Sequence, residues 1–289
     1  MTAATNRVIC IAADLTGRQP LPSITTVVLD LDGVVYRGHT AIPGAKEAIA
    51  WLRAHGRKVL FLTNNSTLSR HEYEQRLARF DIPCKAEEVY SSAYACALYL
   101  RRSRGPQPRA LVVGEGGLAD ELQSAGIEVV RELQDRKVDY VVVGMDRNIN
   151  YAKLADAQTA IFGGAKLIAS NRDPVYPVEQ GVIPGGGTIV AAIETCGLTK
   201  ALVIGKPSPY ILKVLLRKEQ AKPEETLLLG DRLDTDVVCG RRAKTWTAIA
   251  LTGVTTCEDI ERAPARLKPH WLIESIADLP ELVERGGAI

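Results

Sequence analysis

Short apolar runs rich in β-branched residues alternate along the chain with stretches whose apolar positions recur at helical spacing. That pattern predicts a mostly parallel sheet flanked by helices. "TTVVLDL" at 25–31 and "RKVLFLT" at 57–63 read as strands. The helix between them is "PGAKEAIAWLRAHG", which Pro43 and Gly44 open and Gly56 closes. "TLLLG", "WTAIAL" and "HWLIE" predict later strands of the same kind. In the middle, "ALVVG", "DYVVVG" and "KLIASN" form a second set of strands, separated by the helical "LADELQSAG" and "YAKLADAQTAIF". The expected architecture is α/β, with a core made of residues 1–104 and 203–289. A second α/β domain is inserted over 105–202, bounded by "RGPQPR" and the region around "CGLTK".

Composition narrows the classes. The chain has 289 residues, 46% of them hydrophobic and 24% charged, enough to bury a sizeable core. A net charge of +2 with mixed signs leaves no electrostatic footprint for nucleic acid. "LRRSRGPQPR" reads as a solvated helix end running into a linker. Six cysteines (10, 84, 96, 196, 239 and 257) form no CxxC pair and, with four dispersed histidines, no zinc-ligand spacing. Reduced thiols in a cytoplasmic protein are expected. "VICIAA" is too short for a signal-peptide core, and no apolar stretch approaches the ~18–20 residues of a membrane span.

"ALVVGEGGLADEL" matches GxGxxA through Gly114, Gly116 and Ala119, with Glu132 downstream where a dinucleotide fold keeps its ribose-binding acid. An NAD-binding enzyme is therefore a rival reading. Glycines at a strand-to-helix turn also serve backbone geometry alone, and the chain offers no hydride-transfer site.

The chemistry concentrates elsewhere. In "VVLDLDGVVY", Asp30 and Asp32 lie two positions apart, so a strand containing both would point both carboxylates the same way. Gly33 then lets the chain turn. The bland alternative makes one of them a turn cap and the other a solvated charge. "LLLGDRLDTDVV" ends another apolar strand in Asp231, followed by Asp234, which has the position of a helix N-cap, and Asp236. Carboxylates ~5 Å apart repel by about 3 kcal/mol per pair at an effective dielectric of about 20. Several such groups at one sheet edge call for a cation, and oxygen-only ligands favour Mg²⁺. Lys206 in "VIGKPSPYIL" stands just before a helix opened by Pro207 and Pro209. A cation there is disfavoured by about 0.3–1 kcal/mol, so it needs an anionic partner unless it snorkels at the surface. "FLTNNST" offers Thr63, Asn64, Asn65 and Ser66 as hydroxyl, amide and backbone donors, or simply an Asx turn and cap.

DLDGV, LTNNS, GKPSPY and GDRLDTD, in this order, resemble the four motifs of haloacid dehalogenase-like phosphatases. The match is to the subgroup with a large α/β cap between the second and third motifs, the 4-nitrophenyl, phosphoglycolate and pyridoxal phosphatases. The resemblance runs from about Ile24 to the end and implies a Rossmann-like core with residues 105–202 as the cap. It implies a Mg²⁺-dependent phosphatase acting on small-molecule phosphate monoesters. Asp30 would be the nucleophile, forming an aspartyl-phosphate, and Asp32 the general acid and then base. Mg²⁺ would be held by Asp30, the Asp32 carbonyl and Asp231, with Asp236 orienting these ligands. Thr63, Asn64 and Asn65 would bind phosphate, and Lys206 would balance its charge. The cap would close over the site and set specificity, with Asn171, Asp173, Tyr176 and the glycines of "IPGGGT" lining the opening; those glycines could equally form a hinge or turn. Animal members tend to carry histidine where this chain has Tyr176, which weakens the transfer of pyridoxal phosphate or phosphoglycolate as the specific substrate and leaves the natural substrate open. A homodimer through the cap is a further implication. A phosphotransferase or mutase on the same scaffold, and an inactive phosphate-ligand sensor, are the alternatives. Dehalogenases of the superfamily lack the second carboxylate that Asp32 supplies.

Overall fold

The computed structural model describes residues 9–10, 23–102, 107–134, 136–178 and 181–285. Most of "VICIAA" and the "RGP" part of the expected linker lie outside the described residues. The chain divides into two compact units: residues 1–62, 77–84 and 207–289 make one, and residues 63–76 and 85–206 the other.

In the first unit the strands run in the order Ile9–Cys10, Trp271–Ile273, Trp246–Ala250, Thr226–Gly230, Thr26–Asp30 and Lys58–Thr63. All neighbours are parallel except the first pair. Every residue of Thr26–Asp30 and Thr226–Gly230 is buried. This is why both read as unbroken apolar runs rather than alternating ones, since helices cover both faces of a parallel sheet. Leu29 pairs in register with Leu229, so Asp30 and Asp231 leave the sheet at the same carboxyl edge.

The helix Ala45–Ala54 buries Ala45, Ala48, Ile49 and Leu52, the spacing of one helical face. Gly44 opens it at φ 82°, where a Cβ would lie 2.6 Å from that of Ala277. At the other end Gly56 adopts φ 73°, its N–H bonds Arg53 O, and the Arg57 N–H reaches Leu52 O. That pair of bonds is a Schellman motif, which needs a left-handed residue and so a glycine. The helix Tyr210–Lys218 begins directly after Pro209, as the two prolines predict.

The second unit carries a five-stranded, wholly parallel sheet in the order Leu202–Val203, Lys166–Ala169, Tyr140–Val143, Arg109–Val113 and Glu128–Val130. Leu111, Val113, Val141, Val143, Leu167, Ile189, Val190 and Ile193 form its core with the helices Tyr151–Phe162 and Gly186–Cys196. Each such side chain contributes about 1.5–3 kcal/mol on burial. The strands Glu128–Val130 and Leu202–Val203 and the helix Gly186–Cys196 are absent from the sequence reading, as are two further features. Val175–Val178 and Gly181–Pro184 pair as an antiparallel hairpin, and Ser91 caps the helix Ser92–Leu100. The α/β class with mostly parallel sheets is as expected.

Candidate active site

The strand Thr26–Asp30 stops at Asp30, so strand alternation does not align Asp32 with it. The Leu31 carbonyl accepts the N–H groups of Val34, Val35 and Tyr36, and Gly33 sits at φ 81° with its N–H on Tyr36 O. These bonds pull the chain off the sheet at once. Asp32 lies half-buried in the resulting turn, bridged to Tyr36. Asp30 is buried, and its Oδ1 accepts the Leu31 N–H at 2.8 Å.

Asp231 follows the strand Thr226–Gly230. Its Oδ2 accepts the Val254 N–H at 2.9 Å and its carbonyl accepts that of Thr255 at 3.1 Å. A Cβ on Gly253 would stand 2.1 Å from this Oδ2, and one on Gly33 2.5 Å from it. Two glycines therefore make the space that the carboxylate occupies. The segment "TGVT" at 252–255 is a contributor that motif reading missed; a glycine just beyond the strand Trp246–Ala250 was its only signal.

Asp236 lies in a π-helical turn, Leu233–Val237, and accepts the Arg232 N–H at 3.2 Å. One oxygen from each of Asp30, Asp231 and Asp236 falls within 4.8 Å of the others, all three residues buried. Asp236, expected only to orient ligands, thus stands in the cluster itself. Asp234 is not the expected N-cap: the turn begins at Leu233, with Arg232 in the cap position. Asp234 points outward, pairing with Arg232 at 2.8 and 3.1 Å.

Three buried carboxylates at this spacing repel one another, and hard oxygen donors of this kind suit Mg²⁺. The donor set fits the expected metal.

The remaining predicted residues belong to the second unit. Lys206 is 2% exposed, which excludes a snorkelling surface lysine. Thr63 Oγ1 accepts the Asn65 N–H at 3.1 Å. Asn65 makes an Asx turn to Thr67 and donates from Nδ2 to the Tyr176 hydroxyl at 3.2 Å. Ser66 and Ser170 share a hydroxyl bond of 3.1 Å. Ser69 and Glu72 then form the capping box that starts the helix Arg70–Ala78.

Asn64 was expected to bind phosphoryl oxygens through side chain or backbone, and its side chain has other partners: Oδ1 accepts the Lys206 N–H at 2.7 Å, while Nδ2 donates to Lys206 O and to Asp173 Oδ2, each at 2.9 Å.

Tyr176 lies in the hairpin near Arg147. Glu115 holds Arg147 through two bonds of 2.7 and 2.6 Å. That bonding, with the charge of Glu115 and a smaller contribution from Tyr176, raises the Arg147 guanidinium above its usual range. The three glycines of "IPGGGT" have a packing role. A Cβ on Gly185 or Gly187 would meet the backbone oxygens of Asp173 or Arg172 at 2.4 or 2.3 Å. They let the start of the helix Gly186–Cys196 press against that loop.

The GxGxxA stretch has a similar explanation. A Cβ on Gly117 would meet the Leu68 backbone at 2.2 Å, and the Gly117 N–H is spent on Thr67 O. The helix end that would face a pyrophosphate packs against the protein's own chain.

Two family models of haloacid dehalogenase-like hydrolases match residues 27–128 and 203–279. The glycerol-3-phosphate phosphatase of Gallus gallus is 36% identical over 93% of this chain and 95% of its own. The chain belongs to the haloacid dehalogenase-like hydrolase family. Human chronophin is 38% identical over 89% of this chain and 93% of its own. Among solved structures, the p-nitrophenyl phosphatase of Archaeoglobus fulgidus superposes with a TM-score of 0.83 at 33% identity, covering 90% of this chain and all of the other. The glycerol phosphate phosphatase of Mycobacterium tuberculosis in complex with magnesium gives 0.82 at 32%, covering 90% and 78%. This haloacid dehalogenase-like protein is a metal-dependent phosphoric monoester hydrolase. Among its described residues no helix is long and apolar enough to cross a membrane.

Proposed function

We propose that the protein hydrolyses phosphate monoesters of small molecules through an aspartyl-phosphate on Asp30. The observation that carries this reading is the buried acid cluster of Asp30, Asp231 and Asp236 at the carboxyl ends of parallel strands, where open α/β sheets bind ligands. Asp30, Asp231, Asp236 and the Asp32 carbonyl would hold Mg²⁺, which would supply Lewis acidity and charge neutralisation for phosphoryl transfer. Asp30 Oδ attacks phosphorus in line as the ester oxygen departs. Asp32, half-buried in its turn, delivers a proton to that oxygen and then takes one from the water that cleaves the acyl phosphate. Thr63 Oγ1, the Asn64 backbone N–H and the Asn65 amide bind phosphoryl oxygens, and the Lys206 ammonium balances their charge.

Residues 105–202 act as the cap that sets specificity, with Tyr176 as its candidate substrate-binding residue. Arg147 is already neutralised by Glu115, which favours uncharged leaving groups such as polyols or phenols over those with a second anion. The exposed apolar Tyr151, Phe162 and Leu198 support a homodimer through this domain. The free state of the cysteines at 84, 96, 196, 239 and 257 supports a cytoplasmic location.

The test is release of inorganic phosphate from a panel of glycerol, sugar, nucleotide, glycolate, pyridoxal and aryl phosphates, with Mg²⁺ and with excess chelator. Turnover only with metal, ranking neutral alcohols above dianionic ones, is the expected outcome. Undiminished turnover in chelator excludes the metal role. A transferred phosphoryl group with no free phosphate favours a mutase.

A further inference from the structure

The Asn64 side chain and the Lys206 backbone make a closed, two-point pairing. A primary amide offers one acceptor and two donor hydrogens in a single plane. Here Oδ1 takes the Lys206 N–H at 2.7 Å and Nδ2 gives one hydrogen to the Lys206 carbonyl at 2.9 Å. Both backbone groups of one residue are thus held by one side chain, as a neighbouring strand would hold them. The second Nδ2 hydrogen goes to Asp173 Oδ2 at 2.9 Å. Rotating the amide by half a turn would set Oδ1 against a carbonyl and a carboxylate, so Asp173 reinforces the facing that the Lys206 backbone requires.

The surroundings are built for this pairing. A Cβ on Gly205 would lie 2.5 Å from Asn64 Oδ1 and 2.4 Å from Ser170 O, so only glycine lets the amide close on Lys206. The Asn64 carbonyl accepts from Ser92 Oγ at 2.5 Å and from Asn171 Nδ2 at 2.8 Å. Asp173 is anchored in turn: its N–H bonds Asn171 Oδ1 at 3.0 Å, and its carbonyl accepts the Gly187 N–H at 2.9 Å. Arg172 between them pairs with the buried Glu194, which also accepts the Ala201 N–H at 2.8 Å.

We propose that Asn64 is a positioning residue for Lys206, clipping its backbone so that the ammonium stays placed for phosphoryl chemistry, and that Asp173 reinforces the clip. The inference rests on the phosphatase reading of Lys206. Ammonium–phosphate attraction depends strongly on distance in a buried site, and a shift of about 1 Å in a catalytic group costs on the order of a hundredfold in rate. Asparagine is the one residue that serves. Aspartate has the shape but no hydrogen for the Lys206 carbonyl, and alanine makes neither bond.

The test is a double-mutant cycle on 4-nitrophenyl phosphate hydrolysis with saturating Mg²⁺. Lys206→Ala is expected to lower kcat/KM by roughly a hundredfold or more. Asn64→Ala should lower it by about tenfold to thirtyfold, mostly in kcat, with KM within about twofold. The variant carrying both changes should be no worse than Lys206→Ala alone, because Asn64 acts only through that lysine. Asp173→Ala should cost a smaller factor, and nothing further in the Asn64→Ala background. Should Asn64→Ala fail to fold, Asn64→Asp keeps the shape and carries the same comparison. If the two losses multiply, or if Asn64→Ala keeps more than about a third of kcat/KM while Lys206→Ala is crippled, the clip is overturned and the phosphatase reading stands. If Lys206→Ala itself leaves turnover intact, the role of Lys206 fails instead.

Discussion

The acid cluster and the amide clip solve opposite electrostatic problems. Asp30, Asp231 and Asp236 gather like charges whose oxygens lie within 4.8 Å. Around Asn64, by contrast, both amide hydrogens, the amide oxygen and the backbone carbonyl are all matched by partners at 2.5–2.9 Å. The first region brings charges of one sign together where a cation would be favoured; the second is satisfied without any ligand. A metal site should therefore gain stability when a charge is removed in the absence of metal, whereas a satisfied polar network loses stability with any change.

The largest expected effect is on turnover. Asp30→Asn should abolish phosphate release, by about a thousandfold or more, because the amide keeps the shape and loses the nucleophile. In chelator the same variant should melt above the parent, since each relieved carboxylate pair is worth about 3 kcal/mol at an effective dielectric of about 20. Melting below the parent under those conditions would sink the stored-repulsion account. Next comes the metal itself. Mg²⁺ at about a hundredfold excess over its Kd should stabilise the parent by about 2.7 kcal/mol and the Asp30→Asn variant by less, read by thermal melting.

Gly253→Ala sharpens the contrast from the side of packing. Its Cβ would stand 2.1 Å from Asp231 Oδ2, so it should weaken Mg²⁺ binding by roughly tenfold or more while Asn64 and Lys206 keep their bonds. Calorimetric titration with Mg²⁺ checks it, and unchanged affinity would show that Asp231 has room to move.

The smallest effect is a pH dependence away from both regions. Burial, with Arg241 nearby, pushes His270 down to about 4, and its Nδ1 accepts the Thr247 N–H at 3.0 Å. A histidine depressed in the folded state keeps its full stability contribution above its unfolded value of about 6.5 and loses it as pH falls towards 4. The loss should be about 1–2 kcal/mol after allowing for the partial exposure of the ring. His270→Gln should flatten the melting temperature between pH 6.5 and 4; a variant curve parallel to the parent would refute the assignment.

How much was legible depended on how local each signal is. Thr26–Asp30 and Thr226–Gly230 are buried throughout, and that environment writes itself into the chain as a continuous apolar run. Helix ends with Gly44, Gly56 and Pro209 were equally readable, because caps depend on the residues beside them. The hairpin Val175–Val178 with Gly181–Pro184 was not, since it contains Pro177 and Pro184 and its exposed, two-stranded form lacks a core-facing pattern. Asp32 fell outside its strand because three N–H groups converge on Leu31 O, a turn that spacing alone does not distinguish from two more strand residues.

The sequence by itself determined the α/β class, the order of the four motifs and the identity of the acids and the lysine, because these are written in short contiguous stretches. Only the tertiary structure decided that Asp236 stands inside the acid cluster and Asp234 outside it. It alone decided that Gly33 and Gly253 clear the space for Asp231, and that Asn64 binds Lys206 across 142 residues of chain. The physical reason is common to all of them: hydrogen bonds and steric clearances act at about 3 Å in space, and separation along the chain carries no trace of which distant groups will come that near.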